Sequence, residues 1–128
     1  MFAVLLAVVL PAASEAKTHV VGGPTAGWRV PHNPTFYDRW SRSHKFFAGD
    51  TLVFNFKTGF HDVLRVPESG FNSCSATNPV SLGIFTGPAT VRLAAAGNHY
   101  FICTFPGHCS DGHKLAIAVN QRPSMKQN

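Results

Sequence analysis

Apolar and polar residues alternate with a period of two along much of the chain, the pattern of strands with one buried face. From Asp50 to Phe56, Leu52, Phe54 and Phe56 share a face. From Ala89 to Leu93, Val91 and Leu93 face one way and Arg92 the other. From Lys114 to Asn120, Leu115, Ile117 and Val119 alternate with Ala116 and Ala118. Thr18 to Val21 reads as an opening strand, His61 to Val66 as a mixed apolar one, and Gly97 to Cys103 as an aromatic-rich one. Turn signals separate them at Gly22-Gly23-Pro24, Gly49-Asp50, Thr58-Gly59, Gly87-Pro88 and Gly97-Asn98. Strands at this spacing predict an all-β sandwich. Pro31 to His44 and Pro67 to Val80 are expected to be irregular or briefly helical, and no repeat or linker interrupts the chain.

At 128 residues the chain is expected to form one domain with a core of its own. Only 13% of residues are charged and 45% are hydrophobic, which excludes intrinsic disorder. Phe2 to Leu10 is an unbroken apolar run, too short to span a bilayer. Small residues follow, and Ser14-Glu15-Ala16 fits a leader-cleavage site, although the run lacks the usual preceding basic residue. The expected organisation is therefore a leader over 1–16, a domain over 17–120 and a polar tail over 121–128. A leader implies a secreted, extracellular protein, peripheral at most to the plasma membrane and without a membrane span. The formal charge of +5 rises to +6 when Glu15 leaves with the leader. Such a surface is drawn to polyanions such as acidic polysaccharide or membrane surfaces. The charges are scattered singly and match no nucleic-acid motif.

The three cysteines sharpen the picture. Cys74, Cys103 and Cys109 can close one disulfide and leave one thiol, which an oxidising compartment does not preserve without a role. Cys103 and His108 lie in one loop between two expected strands, and His61 follows the turn at Gly59. At one pole of a sandwich these residues can meet. A His₂Cys set with a weak further partner is the electron-transfer copper arrangement: thiolate favours Cu(I), and imidazole serves both oxidation states. Pro106 and Gly107 suit the loop, and Phe60, Phe101 and Phe105 are candidates to shield the ion. Cys109 diverges from its neighbour His108 and is paired instead with Cys74, a cross-link that stabilises by roughly 3–4 kcal/mol.

Read in order, several pieces resemble one family. They are Val21-Gly22-Gly23, Gly27-Trp28, Tyr37, Trp40, Phe47-Ala48-Gly49-Asp50, Leu52-Val53-Phe54, Gly59-Phe60-His61, Phe71 to Cys74, Gly87-Pro88-Ala89, His99 to Cys103 and Phe105 to Cys109. Together, from about Val20 to Val119, they resemble the phytocyanins, plant blue copper proteins of the cupredoxin fold, and among these the plantacyanins. The resemblance implies a Greek-key β-sandwich or barrel, a non-enzymatic and monomeric electron carrier, and one copper ion held by His61, Cys103 and His108. It further implies a Cys74–Cys109 disulfide and a backbone N–H of Asp62 donating to the thiolate. The redox partner, protein or small molecule, is not implied. One position departs: the weak axial ligand, Met or Gln in the family, is His113 here. An imidazole there predicts a more tetragonal site, a lower potential and a greener colour; the alternative is a His113 turned to solvent.

Three other readings compete. A non-redox metal-binding or signalling module of the cell wall would use the same residues. Cys103 with His61, His108 and His113 would also make a closed zinc site. A Cys-His hydrolase on Cys103 and His108 lacks an evident third orienting group.

Overall fold

The computed structural model describes residue 3 and residues 15–123. Of the expected leader only residues 3, 15 and 16 are described, and the last five residues of the tail lie outside the described residues. Among the described residues, seven strands form two mixed sheets. The first sheet contains β1 (Thr18–Val20), β3 (Thr51–Phe54) and β5 (Ala89–Arg92), in the order β1-β3-β5. The second contains β2 (Phe46–Phe47), β4 (Leu64–Val66), β6 (Gly97–Ile102) and β7 (Lys114–Asn120), in the order β2-β7-β6-β4. The β1–β3 and β2–β7 pairs are parallel and the others antiparallel.

The period-two pattern sets which residues fill the space between the sheets. Leu52 and Phe54 of β3, Phe101 of β6, and Leu115, Ile117 and Val119 of β7 are all buried there. Trp28 and Tyr37 close the same core and are each 1% exposed. The other face of β4 and β6 carries a smaller cluster of Leu64, Val66, Ile102 and Cys109 against Phe71, Cys74 and Tyr100.

Both expected irregular segments hold one short helix, α2 (Phe36–Arg42) and α3 (Glu68–Ser73). The Gly22-Gly23-Pro24 turn signal opens a single helical turn, α1 (Gly23–Ala26). The strand expected from His61 begins at Leu64; His61 itself pairs only through an isolated bridge with Thr58. Two-residue β2 carries too short a pattern to be read from sequence. Past Asn120 the chain still packs: Arg122 donates to the Ala48 carbonyl and to Asp50. No helix among the described residues is long and apolar enough to cross a membrane.

Candidate metal centre

β6 and β7 run antiparallel, so the end of one and the start of the other meet at one pole, joined by residues 103–113. The Cys103 N–H donates to the His113 carbonyl at 3.1 Å, and the His113 N–H to the His108 carbonyl at 3.0 Å. These bonds fold the loop back so that Cys103, His108 and His113 face the same space. Gly112 permits the approach: its φ is +101°, and a Cβ there would lie 2.6 Å from Pro34 Cα. The Cys74–Cys109 disulfide, with an S–S distance of 2.06 Å, ties the loop to the end of α3 across a separation of 35 residues.

His61 arrives from a separate segment, fastened through Asp62. The Trp28 indole N–H donates to the Asp62 carbonyl at 2.8 Å, and the Asp62 carboxylate accepts the Thr104 N–H at 2.6 Å and the Thr104 hydroxyl. Asp62, 2% exposed, thereby locks the residue after His61 to the residue after Cys103. The backbone N–H groups of Asp62 and Phe105 both hydrogen-bond to the Cys103 sulfur. The Asp62 contact was expected; that of Phe105 carries no side-chain signal and was not.

The result is one donor cluster. His61, Cys103, His108 and His113 each offer an atom within 4.8 Å of all the others. His61 Nδ1 and His108 Nδ1 are 3.3 Å apart, and Cys103 Sγ is 3.5 Å from His108 Nδ1. Metal–nitrogen and metal–sulfur bonds of about 2.0 and 2.3 Å allow donors of one ion to stand at such separations.

The electrostatics fit a metal better than an empty pocket. His113 is 0% exposed, so the solvent-facing alternative does not hold. Its two ring nitrogens are buried without a hydrogen-bond partner among the described residues. Burial, with His61 and His108 nearby, pushes its pKa down to about 2 and keeps the ring neutral. Burial also lowers the pKa of His61, reinforced by His108 and opposed by Asp62. Burial raises the Cys103 thiol to about 11, against the two N–H donors that favour the thiolate. At His61 and His113 burial favours the neutral, ligating form of the imidazole, and the Cys103 thiol awaits deprotonation on loading.

Around the donors, Trp28 stands 4.2 Å from His113 ring to ring, and Tyr37 stacks at 6.1 Å with an 18° tilt. Sequence reading placed both in the core, which is correct, and missed their contact with His113. Phe105 lies 5.5 Å from the His108 ring, as expected of a shielding group, whereas Phe101 is buried in the core against Phe54. Phe60 does not shield: it is 55% exposed and lies under the Lys57 ammonium. A Cys-His hydrolase is disfavoured, since Cys103 is fully buried and its thiol resists ionisation.

A family model described as a plastocyanin-like domain matches residues 28–113. Cucumber peeling cupredoxin (Cucumis sativus) is 40% identical over 82% of this chain and 77% of its own length. The blue copper protein of Pisum sativum is 41% identical over 90% of this chain, which spans only 59% of that relative. Among solved structures, cucumber stellacyanin superposes with a TM-score of 0.75 at 38% identity, covering 84% of this chain and 97% of that one. Spinach plantacyanin superposes with a TM-score of 0.60 at 36% identity, covering 73% and 94%, so the fold is no nearer to plantacyanin than to stellacyanin. By family model, sequence and fold alike, the chain belongs to the phytocyanins, cupredoxins built on the plastocyanin-like domain.

Proposed function

We propose that this chain is a secreted electron carrier, not an enzyme, that holds one copper ion with His61, Cys103 and His108 as principal donors and His113 as the fourth. The observation that carries the reading is the unpartnered His113 imidazole, fully buried among three further donors brought together from distant segments. Burying two polar nitrogens unsatisfied costs about 1–3 kcal/mol each, and a bound ion would satisfy the one that faces it. When bound, copper supplies a one-electron Cu(I)/Cu(II) couple.

The chain's own residues set the conditions for that couple. Asp62 and Thr104 clamp the two ligand-bearing segments, which restrains the donors as the charge changes. The N–H groups of Asp62 and Phe105 hold negative charge at the Cys103 sulfur. Trp28 and Tyr37 wall off the His113 side from water. His108 is half-buried and is the exit. Exposed Phe60 and Phe85 lie in or beside segments that bond to the His61 strand region, so a partner meets an apolar rim. The imidazole of His113, a stronger donor than a thioether, favours the oxidised ion and a lower potential.

The test is copper loading followed by spectroscopy and voltammetry. Expected are an intense sulfur-to-copper visible band, one copper per chain and a reversible one-electron wave. A loaded but redox-silent protein would support the cell-wall binding module instead. A second reading is kept alive by the completeness of the donor set: Cys with three His is also a closed zinc cage. A colourless protein that retains zinc against copper would establish it.

A further inference from the structure

A second buried polar cluster stands at the opposite pole. Asp50 precedes β3 and is 0% exposed. Its Oδ1 accepts the backbone N–H of Lys17 at 2.9 Å and the Arg122 guanidinium at 2.6 Å. Its Oδ2 accepts the Phe47 N–H at 3.0 Å and His19 Nε2 at 2.9 Å. A carboxylate only accepts, so the His19 proton sits on Nε2. Burial alone would raise the Asp50 pKa, but the hydrogen bonds from Lys17, His19 and Phe47 bring it below the usual carboxylate value.

The donor from Lys17 is a main-chain nitrogen at the point where the fold begins. The Lys17 carbonyl accepts the Thr51 N–H at 2.9 Å, and β1 starts at the next residue. Glu15 and Ala16, just upstream, are exposed. We infer that the Ala16–Lys17 bond is the processing site and that Asp50 is the built-in receptor for the α-ammonium that cleavage creates. The inference rests on the leader reading and is independent of the metal reading.

The chemistry is hydrolysis by a leader-cleaving protease. The bond between the Ala16 carbonyl carbon and the Lys17 nitrogen breaks, water supplies the oxygen of a new Ala16 carboxylate, and the Lys17 nitrogen takes up protons to become an α-ammonium. A neutral amide donor becomes a full positive charge at the same place, against a buried carboxylate. The bond is already charge-assisted through the Asp50 carboxylate, and cleavage adds to it the Coulombic attraction of an opposite charge. The register is selective. Cleavage one bond later removes both the nitrogen on Asp50 and the carbonyl on Thr51; one bond earlier leaves Lys17 as a neutral amide. The charged or titratable groups facing Asp50 are Lys17, His19 and Arg122, with His44 behind His19 at 6.0 Å between rings.

The first experiment compares two purified chains, one beginning at Lys17 and one retaining Ala16. At pH 6 the Lys17 chain is expected to melt about 4–8 °C higher. The ion pair raises the α-amine above its ordinary pKa of about 8, so the gain is complete below that pH and disappears as pH rises through the raised value. Asp50→Asn should erase the difference between the two chains. If the Asp50→Asn chains do not fold, a ¹⁵N titration of the Lys17 amine in the native sequence decides. An amine titrating at or below its ordinary value, or equal melting at pH 6, overturns the inference. So does a secreted chain whose first residue, read by N-terminal sequencing, is other than Lys17.

Discussion

The two poles of the sandwich bury polar side chains in opposite ways. Around Asp50 every neighbour is complementary: four donors converge on one carboxylate, and nothing is left for a ligand to do. Around His113 that complement is missing. Two imidazoles and a thiol surround a third imidazole, and its nitrogens find no partner. Burial alone therefore does not separate structural from functional groups; the balance of donors and acceptors does. A saturated cluster holds the fold, and an unsaturated one with convergent lone pairs specifies a ligand.

The strongest way to break this comparison is Cys103→Ser. If the donor pole serves a metal, the substitution abolishes the visible sulfur-to-copper band and the voltammetric wave while the fold survives. Absorption and circular dichroism on one sample check both halves. An unchanged visible spectrum would remove the metal centre from this pole. A pH series sharpens the same test. Since burial holds the Cys103 thiol near 11, ion uptake must displace a proton, and apparent copper affinity should rise with pH.

At the saturated pole the expected effect is on stability alone. Asp50→Ala strands His19, Arg122 and two backbone N–H groups and should cost about 3–5 kcal/mol, with the copper spectrum and potential unmoved. Chemical denaturation and voltammetry on the variant measure the two sides. A shifted potential would mean that the poles are coupled. The disulfide is intermediate because it braces the metal loop without donating to the ion. Replacing both Cys74 and Cys109 by Ala should cost about 3–4 kcal/mol from the closed loop of 35 residues. It should also speed copper release, read as the rate of bleaching with a chelator.

Much of this was legible in the sequence because it obeys local rules. Leu52, Phe54, Leu115, Ile117 and Val119 alternate as strand residues do, and all five are buried. Cys103 and His108 were legible because a leftover thiol and a Cys-His loop are rare and chemically specific, whereas His61 and His113 stood out mainly through the family resemblance. What was not legible is non-local. The parallel pairing of β1 with β3 and the pairing of two-residue β2 with β7 depend on long-range contacts that no short window encodes. The exposure of Phe60 follows from where its segment lies on the surface, not from its hydrophobicity. Nor could Lys17 or Arg122 be tied to Asp50, since one acts through its backbone and both are far away in the chain.

The smallest effect is the most discriminating, because its sign depends on the ion. In the metal-free protein His113→Leu removes two unsatisfied buried nitrogens, a relief of about 1–3 kcal/mol for each. It also forfeits ring contacts with Trp28 and Tyr37, worth about 0.5–1.5 kcal/mol per pair, so the net gain should be about 2 kcal/mol. The gain should grow in acid. With the native His113 pKa held down to about 2, the unfolded chain binds a proton below about pH 6.5 that the folded chain refuses. That costs the wild type up to about 1.4 kcal/mol per pH unit, a slope the leucine variant loses apart from the smaller shares of His44, His61 and His99. In the copper-loaded protein the order should invert, with the wild type more stable because His113 then has its partner. Melting curves of both proteins, with and without copper, at pH 5 and pH 7 measure it. If the leucine variant is less stable without copper, or more stable with it, His113 is a packing residue and the fourth donor is lost.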